Sequence, residues 1–183
     1  YTALECWNKE GGAQRTYQVS EGVEMEILYN YYYENDSDDE NNYSVCLLFN
    51  QGDRHFLFTG DLEEEGEEYL VQYNDLPAVE LFKAGHHGSK TSSNEALLSV
   101  IRPKIVCVCC CAGTDEYTDT PENQFPTQAM IDRVAKYTDR VYVTSLGDES
   151  APAGYVSMNG DITVTSSAAG EVSVSCSASD ALL

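Results

Sequence analysis

The sequence predicts a layered α/β domain. Three observations predict it. Short apolar runs alternate along the chain with amphipathic stretches of helical period. Most of these runs end in Gly, Pro, Asn or Asp, residues that turn the backbone. And 183 residues, 42% of them hydrophobic, are enough for one domain with a core of its own.

In chain order, "ALECW" (3–7), "RTYQV" (15–19) and "VEMEILYNYYY" (23–33) read as β-like runs. The tyrosine-rich end of the third suits a strand edge or an aromatic contact surface. "ENDSDDENN" (34–42) is a solvated acidic loop; its spacing does not meet that of an EF-hand. Two apolar runs, 43–49 and 55–59, flank "NQGD" and predict a hairpin turning at Gly52. "LEEEGEEYLVQY" (62–73) predicts a helix with Asp61 as a candidate N-cap and glutamates against the dipole. "VELFKAG" (79–85) predicts a buried strand. "SSNEALLSVI" (92–101) predicts a helix capped by Ser92 or Ser93. "KIVCVCC" (104–110) predicts a strand after Pro103. "PTQAMIDRVAKY" (126–137) predicts a helix with Pro126 near its first turn, and "RVYVTS" (140–145) another strand. Residues 153–177 read as a closing β-meander with turns at "NG" and "AAG". Residues 177–183 read as a disordered tail.

Charge narrows the function classes. Ten basic residues against 31 acidic ones leave a formal net charge of −21. That disfavours an autonomous nucleic-acid binder, which relies on Lys and Arg to neutralise phosphates. It leaves room for a nuclease whose metal ions supply local positive charge. No apolar run approaches the length of a membrane span. The chain starts at Tyr1 and shows no signal peptide, as expected of a piece of something longer.

Seven cysteines, an odd number, include the cluster "CVCCC" and do not read as a disulfide framework. On a strand, Cys107, Cys109 and Cys111 would share one face and Cys110 the other. Buried free thiols are the plain reading. A thiolate metal site is the rival, and it lacks the CxxC spacing of zinc ribbons.

The chemistry sits at two strand ends. "HFLFTGD" runs an apolar strand into Gly60 and then Asp61. "VELFKAGHHGS" runs another into Gly85, His86, His87 and Gly88. Small residues let the backbone turn sharply and leave room for a ligand. Carboxyl ends of neighbouring strands are where α/β proteins build sites. A carboxylate can bridge two cations, and imidazole is a favoured zinc or iron ligand. Helix capping is an equally sufficient explanation of Asp61. Two adjacent histidines between glycines are harder to call structural. His55, the third histidine, reads as an ordinary strand residue.

These motifs, in this order, resemble the metallo-β-lactamase fold. The stretch from "NNYSVCLLFNQGDRHFLFTGD" through "VELFKAGHHGSKTSS" to "RPKIVCV" is similar to the soluble hydrolase domain of the DNA-uptake competence protein ComEC and its free-standing secreted relatives. "N-x-S" at Asn42 and Ser44, "TGD", "HHGS", "TPENQFPTQAMIDRV" and the closing strands carry the likeness over residues 15–176. It implies an αββα sandwich of which this chain supplies mainly the second half. Residues 1–176 would then be part of a single domain.

The resemblance also implies roles. Asp61 would bridge two metal ions. One of His86 and His87 would ligate the second metal. His86, which follows the small residue directly, is the first choice, and His87 would then contact it from behind or touch a phosphate; the two can be exchanged. Ser89 and Lys90 would lie at the rim. The implied cofactor is zinc, two ions per complete site, with manganese or iron as substitutes. Two cations about 3.5–4 Å apart would hold a hydroxide and clamp phosphoryl oxygens. Asp61 and His87 are the implied catalytic residues, and a phosphodiester is the leading substrate.

Two departures limit this. The family's His-x-His-x-Asp-His motif and its further histidine are absent. Where many relatives carry His-Pro, this chain has Phe125–Pro126. The implied partner is therefore an amino-terminal half that supplies the motif, with nucleic acid or another phosphodiester as substrate. The rival readings are a degenerate, non-catalytic binding module and an ordinary α/β domain. A half-sandwich would expose a whole sheet face, so the isolated chain is expected to aggregate or dimerise. Resemblance to secreted relatives suggests a bacterial extracytoplasmic protein, whereas the cysteines suit a reducing interior.

Overall fold

A computed structural model describes residues 1–111, 120, 123–148 and 150–183. Its centre is a seven-stranded mixed sheet in the order β1-β2-β3-β4-β5-β6-β7. The strands are β1 (Thr16–Ser20), β2 (Val23–Ile27), β3 (Leu47–Gln51), β4 (Arg54–Phe58), β5 (Leu81–Lys83), β6 (Ile105–Val108) and β7 (Val141–Val143). β1 to β4 form an antiparallel meander, and β4 to β7 run parallel. Helices α2 (Glu64–Tyr73), α3 (Glu95–Ile101) and α4 (Gln128–Val134) make the crossovers that parallel neighbours require.

Strand alternation sorts the side chains onto two faces. Leu48, Leu57, Phe82, Val106, Val108, Val141 and Val143 pack with Leu70, Leu97, Leu98, Ile101, Met130 and Val134 of the helices. Phe56, Leu81, Ile105, Cys107 and Tyr142 point the other way. β5 to β7 are buried on both faces, which is why they read as continuous apolar runs.

The second face is not bare. The closing hairpin of β10 (Ile162–Ser166) and β11 (Val172–Cys176) lays Ile162, Val164, Val172, Val174 and Cys176 over it. This corrects the expectation of a wholly exposed sheet face. What stays open is a groove of about 290 Å³ among Val23, Phe49, Phe56, Phe58, Leu81 and Val164. Among the described residues the closing strands form two separate ribbons, β8 (Ser145–Gly147) with β9 (Tyr155–Ser157) and β10 with β11.

Four local expectations are corrected. "ALECW" lies in a helix, α1 (Ala3–Asn8), because Thr2 and Glu5 form a reciprocal capping box. Asp61 is not the N-cap of α2; Glu63 holds that position. Neither Ser92 nor Ser93 caps α3. The N-cap is Asn94, and the carboxylate of Glu67 on α2 accepts the backbone N–H groups of Ser93 and Asn94, both at 2.7 Å. The segment read as a disordered tail is tied down. Asn159 Nδ2 donates to the carbonyls of Ser179 and Ala181, and Leu183 N donates to Val141 O.

β6 stops at Val108, so the strand alternation assigned to Cys109, Cys110 and Cys111 does not operate. Cys109 and Cys111 are exposed and Cys107 is buried. Burial pushes the Cys107 thiol up to about 12, so it stays a neutral thiol. All seven cysteines are free.

Candidate metal centre

Asp61 and the His86–His87 pair meet at the carboxyl ends of the adjacent parallel strands β4 and β5. The loop after β4 is set by the asparagine and serine of "N-x-S". Ser44 Oγ accepts the Asp61 N–H at 2.9 Å, and Asn42 Oδ1 accepts the Glu63 N–H at 3.2 Å. Gly60 is required between them. Its φ is +61°, and a Cβ there would stand 2.8 Å from Ser44 Oγ.

After β5 the chain enters a tight turn, Gly85–Gly88, pinned by the His86 N–H to the Gly60 carbonyl at 3.0 Å. Both histidines take left-handed backbone, φ 45° at His86 and φ 54° at His87. For residues with a Cβ this costs roughly 1–2 kcal/mol each. Such strain concentrates at functional sites. Gly88 closes the turn at φ +88°, where a Cβ would meet Pro126 and Val108 carbons at 2.9 Å.

His87 Nδ1 lies 2.9 Å from the Cys109 carbonyl. A carbonyl only accepts, so Nδ1 is the protonated nitrogen of the neutral ring, and the lone pair is on Nε2. That Nε2 faces Asp61 Oδ1 at 3.7 Å, with both side chains a little over one-third exposed. This is too long for a hydrogen bond. It is close to the ~3.4 Å that separates two donors on one tetrahedral zinc with bonds of about 2.0–2.2 Å. Anchoring the far ring nitrogen on a carbonyl is also how metal-bound histidines are oriented.

His86 faces the other way. Its Nδ1 lies 3.4 Å from Glu63 Oε1 and 3.5 Å from Thr91 Oγ1. Phe125 stands beside both imidazoles, 5.7 Å from the His86 ring and stacked at 6.4 Å on His87. It fills with an apolar ring the place where the resemblance led one to look for a histidine. Lys90 is at the rim of an acidic cavity, and its Nζ donates to Asn123 Oδ1. Ser89 is not; it is buried, and its hydroxyl pairs with that of Thr91. His55 is a strand residue, its Nδ1 bonded to Asn50 Oδ1 across the β3–β4 ladder.

Beside His86 opens an acidic cavity of about 520 Å³ lined by Asn42, Lys90, Thr91, Glu63, Glu64, Glu65 and Glu68. Its field favours cations and repels anions. Sequence reasoning missed Glu63 and Thr91. Glu63 is one glutamate in a run of them, and nothing in the run marks which one turns inward.

The donor set is incomplete for the implied metal. Among the described residues no group of three or more His, Cys, Asp or Glu side chains converges as a metal site. A zinc ion held by protein takes three or four ligands. Asp61 and His87 are a half-site and do not by themselves fit one ion, still less two.

The family model of the metallo-β-lactamase superfamily matches residues 38–112, the stretch that contains Asn42, Ser44, Asp61 and both histidines. Recombination protein 2 of Haemophilus influenzae is 28% identical over 60% of this chain and 13% of its own length. ComE operon protein 3 of Bacillus subtilis is 37% identical over 36% of this chain and 8% of its own. Competence protein ComA of Neisseria gonorrhoeae is 31% identical over 59% and 15%. The chain therefore spans between 8% and 15% of the length of these curated relatives. Among the described residues no helix is long and apolar enough to cross a membrane. The mixed sheet with its helical layer is that of a metallo-β-lactamase-like fold, and residues 38–112 carry the likeness of this chain to the metallo-β-lactamase superfamily.

Proposed function

We propose that this chain is the carboxyl-terminal half-site of a metal-dependent hydrolase acting on phosphodiesters. In this reading Asp61 and His87 supply two ligands. The rest come from a His-x-His-x-Asp-His segment outside these 183 residues, and zinc is the resident metal, with manganese or iron as substitutes. The observation that carries the reading is the pairing of His87 Nε2 with Asp61 Oδ1 at ligand–ligand spacing, with His87 Nδ1 already anchored on a carbonyl. The competence and recombination relatives support nucleic acid as the phosphodiester. The net charge of −21 works against a phosphate approaching the bare chain, so in this reading bound cations supply the positive charge at the site.

The test is zinc titration calorimetry on the chain alone and together with a polypeptide carrying the missing motif. Weak binding alone, tight binding in the pair, and cleavage of a chromogenic phosphodiester only in the pair are the expected results. Equal zinc binding by the paired Asp61→Ala and His87→Ala variants would sink the reading. A second reading, a binding module without catalysis, is favoured by the two-donor set. A tight pair that takes no zinc and cleaves nothing would establish it.

A further inference from the structure

His86 is held by a chain of side chains whose hydrogen-bond directions can be worked out. The Thr91 hydroxyl has a single hydrogen. Its oxygen lies 2.8 Å from Glu63 Oε1, a carboxylate that only accepts. The alternative acceptor, His86 Nδ1, is farther away at 3.5 Å and neutral, so the hydrogen goes to Glu63. Thr91 Oγ1 then faces His86 as an acceptor. Ser89 Oγ, 2.9 Å from Thr91 Oγ1, accepts the Thr91 N–H and donates its own hydrogen to that same oxygen. The other group beside His86 Nδ1 is Glu63 Oε1 itself, at 3.4 Å. Both neighbours of Nδ1 are acceptors, so the ring hydrogen belongs on Nδ1. Asn41 Nδ2, 3.4 Å from Glu63 Oε1, donates a further hydrogen bond to the same carboxylate oxygen.

We infer that Glu63, through Thr91, is a positioning residue that fixes His86 in one orientation and one tautomer, with N–H on Nδ1 and the lone pair on Nε2. The inference deepens the half-site reading and rests on it for its functional meaning. It gives both imidazoles the same tautomer by different means, a backbone carbonyl for His87 and a hydroxyl-to-carboxylate relay for His86. It also gives Glu63 of the "LEEEGEE" run a task distinct from that of the buried Glu67, which holds the N-terminus of α3.

The test needs neither metal nor partner. With only three histidines, the ring nitrogens can be followed individually in a ¹⁵N-histidine-labelled sample of the 183-residue chain. Spectra are taken at a pH high enough that the ¹⁵N shifts no longer change on further addition of base. His86 should show a protonated Nδ1 and an unprotonated Nε2. Thr91→Val and Glu63→Ala should each move His86 toward the Nε2–H form while the His87 signals stay put. Thr91→Ser, which keeps the hydroxyl, should retain the wild-type pattern. The His55 signals, from a ring bonded to Asn50 in the β-ladder, report that each variant is folded. An Nε2–H tautomer for His86 in the wild type, no response to either disrupting variant, or a Thr91→Ser shift equal to that of Thr91→Val would overturn the inference. Because no zinc is present, failure here leaves the Asp61–His87 half-site standing. Failure of zinc to bind in the paired sample leaves this result untouched.

Discussion

His87 Nε2 stands 3.7 Å from Asp61 Oδ1, although the two residues end different strands and neither is bonded directly to the other. The His86 N–H to the Gly60 carbonyl ties the two loops together, and each side chain has a support of its own. Asp61 hangs from Ser44, and His87 leans on Cys109. The spacing is set by the parallel β4–β5 pair, which brings both strand ends to one edge of the sheet, and by that backbone bond between their loops. In the paired sample, His87→Ala should therefore weaken zinc binding at least a hundredfold, and His86→Ala about tenfold or less, the effect of an outer contact. Calorimetry on the two variants measures the ratio. The reverse ratio would restore His86, the first choice from the sequence, as the ligand.

The left-handed backbone at His86 and His87 makes a second prediction. Glycine adopts this conformation without the Cβ penalty. His86→Gly and His87→Gly should melt no lower than wild type, within about 0.5 kcal/mol, as the relieved strain offsets the lost ring contacts with Phe125. The corresponding alanines keep the strain and should melt lower. Thermal denaturation of the four variants decides it.

Glu67 links α2 to the loop that follows the histidines, and its titration should be visible in stability. The side chain is fully buried, and burial raises its pKa from the ordinary 4.5 to about 7, against the lowering effect of the Asn94 and Ser93 N–H bonds. A carboxyl whose folded pKa is raised binds more protons folded than unfolded. Its contribution is therefore most favourable below about 4.5, declines as pH rises toward 7, and is fully lost above that. The difference is on the order of 3 kcal/mol. Urea denaturation at pH 5.5 and pH 8 should show the chain less stable at the higher pH, and Glu67→Gln should flatten that difference. Glu67→Gln should also lower stability at pH 5.5 by about 1–3 kcal/mol, because the amide presents an N–H₂ where a second backbone N–H needs an acceptor.

Removal of residues 161–183 should change the solution state. It strips Ile162, Val164, Val172, Val174 and Cys176 from Phe56, Ile105 and Tyr142 and opens the second face of the sheet. Contiguous apolar surface of that size drives association. Size-exclusion chromatography should find the truncated chain in high oligomers and the full chain in smaller species. Identical elution profiles would mean that the hairpin does not protect this face.

The sequence determined much of the fold. The β3–β4 hairpin, the strands at residues 81, 105 and 141 and the three crossover helices follow from apolar period and turn residues, which are local properties. It also marked Asp61, His86 and His87, because "TGD" and "GHHG" need glycines only where the backbone turns left-handed or a Cβ would collide. What the tertiary structure decided is which donors face each other. Asp61 could cap a helix by local sequence, yet Glu63 takes that position and Asp61 turns to His87. Ser92 and Ser93 had the local signature of caps, yet the acceptor comes from Glu67 on another helix. Glu63 and Glu67 are indistinguishable from Glu64, Glu65 and Glu68 in the sequence. One ends beside an imidazole, one in the core, and three at the wall of an acidic cavity. Composition cannot separate them, because the direction of a side chain depends on which element packs across from it. That partner is fixed only when the sheet and its helices assemble.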